Sequence, residues 1–207
     1  MKSRSRPVGH AAVTQLTLPG FDTPPPVPVH RFFFAVMPDP ATAVRIAGIA
    51  KSMQLEQDSP LSTERLHVTL GSLGDFAYVP GATLARARAV ADRVAVRSFS
   101  VRFDKIVSFN GRPGHQPLVL MGQADLEDLI DFRRQLRDAL KRVGVRVFPS
   151  SFTPHVTLLY GARRPDEYRI EPITWTVCEF VLIDSWLNRS HYDVLGRWPL
   201  TTGGPSG

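Results

Sequence analysis

The spacing of hydrophobic and polar residues changes period several times along the chain, and each change predicts an element. Residues 32–37 (FFFAVM) form an unbroken apolar run of strand length, entered at Arg31 and closed by Pro38-Asp39-Pro40. Residues 41–55 carry Val44, Ile46, Ala47, Ile49, Ala50 and Met53 at mixed three- and four-residue spacing, which predicts a helix. Gln57-Asp58-Ser59-Pro60 reads as a loop. Leu66 to Leu73 reads as a strand closed by Gly74, and residues 81–96, rich in Ala and Arg, as a second helix. Residues 99–103 alternate as a half-exposed strand does. Their expected partner is 118–121, across the turn signal Asn110-Gly111-Arg112-Pro113-Gly114. Residues 125–142 set Leu126, Leu129, Ile130, Phe132, Leu136 and Leu140 in a charged sequence. They predict the clearest helix, with Gly144 just past its end. Strands are expected at 155–160, 174–184 and 191–198.

This order, with strands outnumbering helices and several strands in succession, predicts an α+β fold with largely antiparallel sheets. The folded domain is expected over residues 30–200. Residues 1–29 are basic and then Pro-rich (Thr23-Pro24-Pro25-Pro26-Val27-Pro28), a composition expected to be disordered. Residues 201–207 read as a flexible tail.

One tetrapeptide occurs twice. His67-Val68-Thr69-Leu70 and His155-Val156-Thr157-Leu158 are identical and fall in different halves of the chain. With six histidines in the sequence, a chance repeat of this kind is expected at about half a percent from ordinary residue usage. In a strand, residues i and i+2 share a face. Each copy therefore turns one imidazole and one hydroxyl to one side and anchors Val and Leu on the other. Either copy alone reads as an ordinary half-exposed strand. Together, one in each of two facing lobes, they bring two imidazoles and two hydroxyls into a cleft.

That quartet suits phosphodiester cleavage. Near neutral pH one histidine of a pair can be charged and the other neutral, so one gives a proton to a leaving oxygen while the other takes one from water. Threonine hydroxyls can donate to the non-bridging phosphate oxygens. The candidate catalytic residues are His67 and His155, and the candidate phosphate-binding residues are Thr69 and Thr157. Residue types alone leave open which histidine is acid and which is base. No HExxH motif, carboxylate cluster, P-loop or GxSxG motif is present. No metal or cofactor is expected.

These blocks resemble the 2H phosphoesterase superfamily, and within it the RNA 2',3'-cyclic phosphodiesterases, also called 2'-5' RNA ligase-like proteins. The resemblance runs from Arg31-Phe32-Phe33-Phe34-Ala35-Val36 through both motif blocks to Tyr192, Leu195 and Trp198-Pro199-Leu200. It implies a bilobal fold with the active site in the cleft between the lobes. The implied reaction is metal-independent hydrolysis of a terminal 2',3'-cyclic phosphate on RNA to a 2'-phosphate, with 2'-5' ligation as its reverse. It implies His67 as general acid and His155 as general base. The chain departs from the family at Ser72, where many members carry an aromatic residue, and at Tyr160, where some carry arginine. Tyr160 becomes a candidate substrate contact, with Arg163 or Arg164 expected to supply charge.

The formal net charge of +6 suits a polyanionic partner such as RNA and equally suits ordinary solubility. The expected partner is RNA with a cyclic-phosphate end or a small cyclic nucleotide, bound by a monomer. Alternatives are a non-catalytic module that holds RNA ends, or a phosphodiesterase for another small cyclic diester. Cys178 lies in a predicted strand and is expected to be a buried, inert thiol; as the only cysteine it can form no internal disulfide. No run reaches membrane-spanning length and no secretory signal opens the chain, so a cytoplasmic location is expected. Gln15-Leu16-Thr17-Leu18-Pro19-Gly20-Phe21 resembles the short peptides by which some bacterial proteins dock on the sliding clamp. His10, His30, His115 and His191 read as incidental, Arg112 as a solvated turn residue, and Trp175, Trp186 and Trp198 as packing.

Overall fold

The structure is a computed structural model and describes residues 26–149, 151–164 and 166–201. The clamp-like segment at 15–21 and His10 lie outside the described residues. The elements, in chain order, begin with β1 (His30–Val36), α1 (Pro40–Ser52), β2 (Ser59–Pro60), a 3-10 turn (Thr63–Arg65) and β3 (Val68–Phe76). They continue with α2 (Gly81–Ala91), β4 (Phe99–Ser108), β5 (Gln116–Met121) and α3 (Glu127–Arg142). The last four strands are β6 (His155–Gly161), β7 (Tyr168–Val177), β8 (Glu179–Trp186) and β9 (His191–Pro199).

The strands form two sheets, ordered β3-β1-β8-β9 and β2-β6-β5-β4-β7, with antiparallel pairing throughout both. This is the expected α+β class, with one motif strand per sheet. The lobes are not halves of the sequence, however, because β8 and β9 return to the sheet that holds β1 and β3.

The unbroken apolar run of β1 follows from its place between β3 and β8, buried on both faces. Phe32, Phe34 and Val36 enter the large core, which joins both sheets and all three helices among the described residues. Phe33 and Ala35 point the other way and form a smaller apolar cluster with Val181 and Ile183. Helix α1 starts at Pro40, where a missing N–H costs nothing, and Asp39 caps it by accepting from the Thr42 amide at 3.0 Å. Helix α3 buries Leu129, Phe132, Leu136 and Leu140. It carries Glu127 and Asp128 in its first turn and Lys141 and Arg142 in its last, matching its dipole at both ends.

Several expectations need correction. The run 174–184 is not one strand. It breaks at Cys178, and β7 and β8 belong to different sheets. The physical reason lies in the burial pattern. Ile173, Trp175 and Val177 alternate with exposed residues on a one-faced strand, whereas Phe180 to Ile183 are buried without interruption between neighbours. Cys178 sits at the crossing and is exposed, not buried. Helix α1 ends at Ser52 instead of 55, and α2 at Ala91 instead of 96. The expected loop at 57–60 contributes the two-residue strand β2, paired to β6. His30, read as incidental, opens β1, is buried, and lies 2.9 Å from an Asp184 carboxylate oxygen.

The two motif strands lie beside each other where the sheets meet. Ser72 of β3 and Phe148, in the segment that leads to β6, exchange backbone hydrogen bonds of 2.8 Å in both directions. Arg133 of α3 reinforces this junction. Its guanidinium donates to the Leu70 carbonyl at 3.0 Å and to the carbonyls of Pro149 and Ser151, and it lies over the Phe152 ring.

Candidate active site

Val68 and Leu70, like Val156 and Leu158, are buried in the core, while His67, Thr69, His155 and Thr157 are half-buried on the other side of their strands. Each motif strand then breaks its alternation at the same point. Phe34 pairs with Gly71 and the next residue, Ala35, pairs with Thr69, so Leu70 is the extra residue of a bulge. Leu118 pairs with Leu159 and Val119 with Thr157, so Leu158 is extra. A bulge shifts the phase of the residues beyond it. Strict alternation would turn Ser72 and Tyr160 away from the cleft, three residues past each threonine. The bulges bring both back to the histidine face, where each is half-buried.

The histidines are anchored alike. His67 Nδ1 lies 2.7 Å from the Arg65 carbonyl, and His155 Nδ1 lies 2.7 Å from the Thr153 carbonyl, in each case two residues earlier. A carbonyl can only accept, so both Nδ1 atoms carry hydrogen and both Nε2 atoms of the neutral rings carry a lone pair. In the first motif that lone pair accepts from the Thr69 hydroxyl at 3.1 Å.

Aromatic rings wall the imidazoles. Phe33 of the smaller apolar cluster stacks on His67 with ring centres 4.9 Å apart, and the Tyr192 ring meets its edge at 5.7 Å. Phe109 meets His155 edge-on at 4.9 Å. This enclosure disfavours the charged ring. Burial pushes the His67 pKa down to about 4, helped by the charges of His155 and Arg65 and opposed by the Arg65 carbonyl. Burial lowers that of His155 as well, opposed by the Thr153 carbonyl. The charge of His155 thus contributes to the lowering at His67.

Tyr160 joins them. Its hydroxyl hydrogen-bonds to Thr157, its phenol pKa is raised by burial, and it feels Tyr192, Arg65 and Arg31 from the other lobe. His115 stacks on it almost in plane, with centres 4.4 Å apart and rings inclined by 9°. His115 lies in the turn where the sequence places it, exposed, with its ring laid on Tyr160. The expected supply of charge by Arg164 is overturned. That guanidinium forms a buried pair with Asp58 and donates to the Met53 carbonyl at 2.9 Å. Arg163 is exposed, as is Arg112. Phe33, Arg65, Phe109 and Tyr192 are not among the site residues expected from the sequence. Only Arg65, two residues before a motif histidine, carried a local signal.

A sequence profile of the 2'-5' RNA ligase superfamily matches residues 38–187, most of the chain. The chain belongs to that superfamily. Solved structures agree with this membership. Escherichia coli LigT in its apo form is similar with a TM-score of 0.68 and 25% identity, over 84% of this chain and 99% of that one. LigT complexed with 3'-AMP gives 0.67 and 27%, again over 84% and 99%. The structure of a phosphoesterase gives 0.67 and 27%, over 83% and 99%. Comparison with curated proteins finds no match. Membership supports an enzyme with phosphoesterase or ligase activity. Among the described residues no helix is long and apolar enough to cross a membrane.

Proposed function

We propose that the protein hydrolyses the 2',3'-cyclic phosphate at an RNA end to a 2'-phosphate, in the cytoplasm and without a metal ion. The observation that carries this reading is the matched pair of imidazoles. Both are held through Nδ1 by a backbone carbonyl, both carry a lone pair at Nε2, and each is followed two residues on by a half-buried threonine.

In this reading His155 Nε2 takes a proton from water as its oxygen bonds to phosphorus. The bond from phosphorus to the 3' oxygen breaks, and His67 Nε2–H protonates that oxygen. Each transfer is typically worth 10²–10⁴-fold. In the free protein His67 is neutral at pH 7, so it needs a reason to gain its proton. The anionic diester provides one, since an opposite charge a few ångströms away favours the imidazolium. Once Nε2 is protonated it no longer accepts from Thr69. The hydroxyl is then free to donate to a phosphate oxygen, with Thr157 doing the same from the other side.

A second assignment has one observation in its favour. His67 is the ring driven down to about 4, and a ring so reluctant to charge suits a base. An activated 4-nitrophenyl phosphodiester separates the two, because its leaving group needs no acid. The histidine whose alanine variant regains activity on that substrate is the acid.

The main test is an RNA oligonucleotide with a cyclic-phosphate end, incubated with protein in EDTA and resolved by product. The expected result is 2'-phosphate, with His67→Ala and His155→Ala each losing nearly all activity. Retained activity in either variant overturns the mechanism. Salt-dependent binding without product would instead identify a module that holds RNA ends.

A further inference from the structure

An anionic diester entering this cleft meets two guanidiniums whose charge acts on the site's titrating side chains, Arg31 and Arg65. Arg31 is already committed. Its Nε and a terminal nitrogen each donate to Asp75 at 2.7 Å, a two-point pair that satisfies its charge. Arg65 has no such partner. Its Nε is buried and makes no hydrogen bond, and no carboxylate pairs with its guanidinium among the described residues. Glu64 beside it is exposed and is engaged by the Ser62 and Thr63 hydroxyls. What holds Arg65 is the Tyr192 ring, 4.7 Å from the guanidinium carbon. That same ring meets the edge of His67. A half-buried guanidinium without an anion is costly, because buried donors are normally satisfied. The ring contact holds the group beside His67. Its Nε is enclosed, and its two terminal nitrogens, which make no hydrogen bond among the described residues, are left for a ligand.

We propose that Arg65, laid on Tyr192, is the cation that binds the phosphate of the substrate on the first-motif side of the cleft. The proposal rests on the reading of the cleft as a phosphodiesterase centre and adds its anion-binding residue. Arg65 then has two parts. Its carbonyl sets the His67 tautomer, and its side chain brings the anion beside the ring that must be charged. One residue couples substrate capture to the loading of the acid.

The test uses the full chain and inorganic phosphate as probe. Phosphate binding is measured by calorimetry at low salt for wild type, Arg65→Gln and Arg65→Lys, with thermal unfolding as a control for folding. Removing one charge-assisted contact is expected to weaken phosphate binding about 10- to 100-fold. Arg65→Lys restores part of it, since the charge returns without the fork. On a cyclic-phosphate substrate Arg65→Gln raises KM by a similar factor and changes kcat less than about threefold, the pattern of a lost uniform contact. The backbone carbonyl survives the substitution, while the loss of a nearby cation moves the His67 midpoint upward in an NMR titration, which a merely structural role would not do. Phosphate affinity unchanged in Arg65→Gln, no rescue by lysine, or no phosphate binding by wild type overturns the assignment. If wild type fails to hydrolyse cyclic phosphate but loses phosphate binding with Arg65, the proposed reaction falls and the anion site stands. If wild type hydrolyses it and Arg65→Gln leaves KM unchanged, the reaction stands and the anion site falls.

Discussion

The depressed His67 makes a quantitative prediction about stability in acid. A histidine in the unfolded chain takes up its proton near pH 6.5, whereas the buried His67 ring resists until about pH 4. Between those values the unfolded state holds the extra proton, so acid favours unfolding and stability rises with pH. The native preference for the neutral ring is fully present above about pH 6.5 and is used up as pH falls toward 4. The gap corresponds to roughly 3 kcal/mol. Of this, about 1–2 kcal/mol should be lost between pH 7.5 and 4.5, allowing for the half-buried state of the residue. His67→Asn is the reference, because an amide can still donate to the Arg65 carbonyl and cannot titrate. Urea unfolding of both proteins at half-unit pH steps isolates the ring, since the carboxylates and His155 are common to both. The stability difference, wild type minus variant, should fall by that amount as pH falls. Saturating phosphate should raise the His67 midpoint in an NMR titration of the imidazole protons. A stability difference that stays flat across this window, or a free-protein midpoint near 6.5, would refute the claim that the free protein holds His67 neutral.

Other outcomes follow from particular contacts. Arg133→Met removes the group that donates to the Leu70, Pro149 and Ser151 carbonyls. It should destabilise the fold by about 2–4 kcal/mol in chemical denaturation. Arg164→Met leaves the buried Asp58 carboxylate without its cation and should cost about 3–5 kcal/mol. Hydrolysis per folded molecule should be unchanged, which tests the conclusion that Arg164 is a structural residue. Tyr160→Phe removes the hydroxyl bonded to Thr157 and keeps the stack on His115. It should lower kcat/KM by less than about tenfold, one neutral hydrogen bond, whereas Thr157→Ala should lower it further. Deleting residues 1–25 should leave hydrolysis intact; a collapse would tie that segment to the site.

The parts of this molecule legible in the sequence are those set by local periodicity. The apolar run of β1, the helical spacing of α3 and the alternation within each motif depend on residues a few positions apart, and each appears where its pattern places it. The crossing at Cys178 was hidden because two strands of different sheets follow each other with no turn residue between them. The apolar signal therefore never drops, and only its change from one-faced to two-faced burial marks the border. The surroundings of His67 were hidden for another reason. Phe33 reaches it because β1 pairs with β3, and Tyr192 because β9 lies beyond β8 in the same sheet. Neither pairing can be read from residues near 67. Arg164 misled for the converse reason. Its proximity to Tyr160 in sequence suggested a shared role, but the chain turns it toward Asp58 instead.

The bulges connect the two levels. A four-residue repeat specifies an imidazole and a hydroxyl on one face and nothing more. The extra residue at Leu70 and Leu158 carries the equivalence one step further, so that position i+5 from each histidine also faces the cleft. There the two halves diverge, with Ser72 in one and Tyr160 in the other. Ser72 is small, and its hydroxyl is taken up by the backbone, accepting from the Gly74 amide at 3.1 Å and donating to the Phe32 carbonyl of β1 at 3.4 Å. Tyr160 reaches out to Thr157, His115 and the field of Arg65. Two imidazoles with the same tautomer and equivalent anchors need an asymmetric surround if one is to act as acid and the other as base. The polar asymmetry enters at these positions and at Arg65, whose counterpart two residues before His155 is the neutral Thr153. Exchanging these, by Arg65→Thr together with Thr153→Arg, should move the anion to the second motif and reverse the order in which the two histidines titrate in the presence of phosphate. An unchanged order would mean that burial by Phe33 and Phe109, rather than the cation, sets the roles.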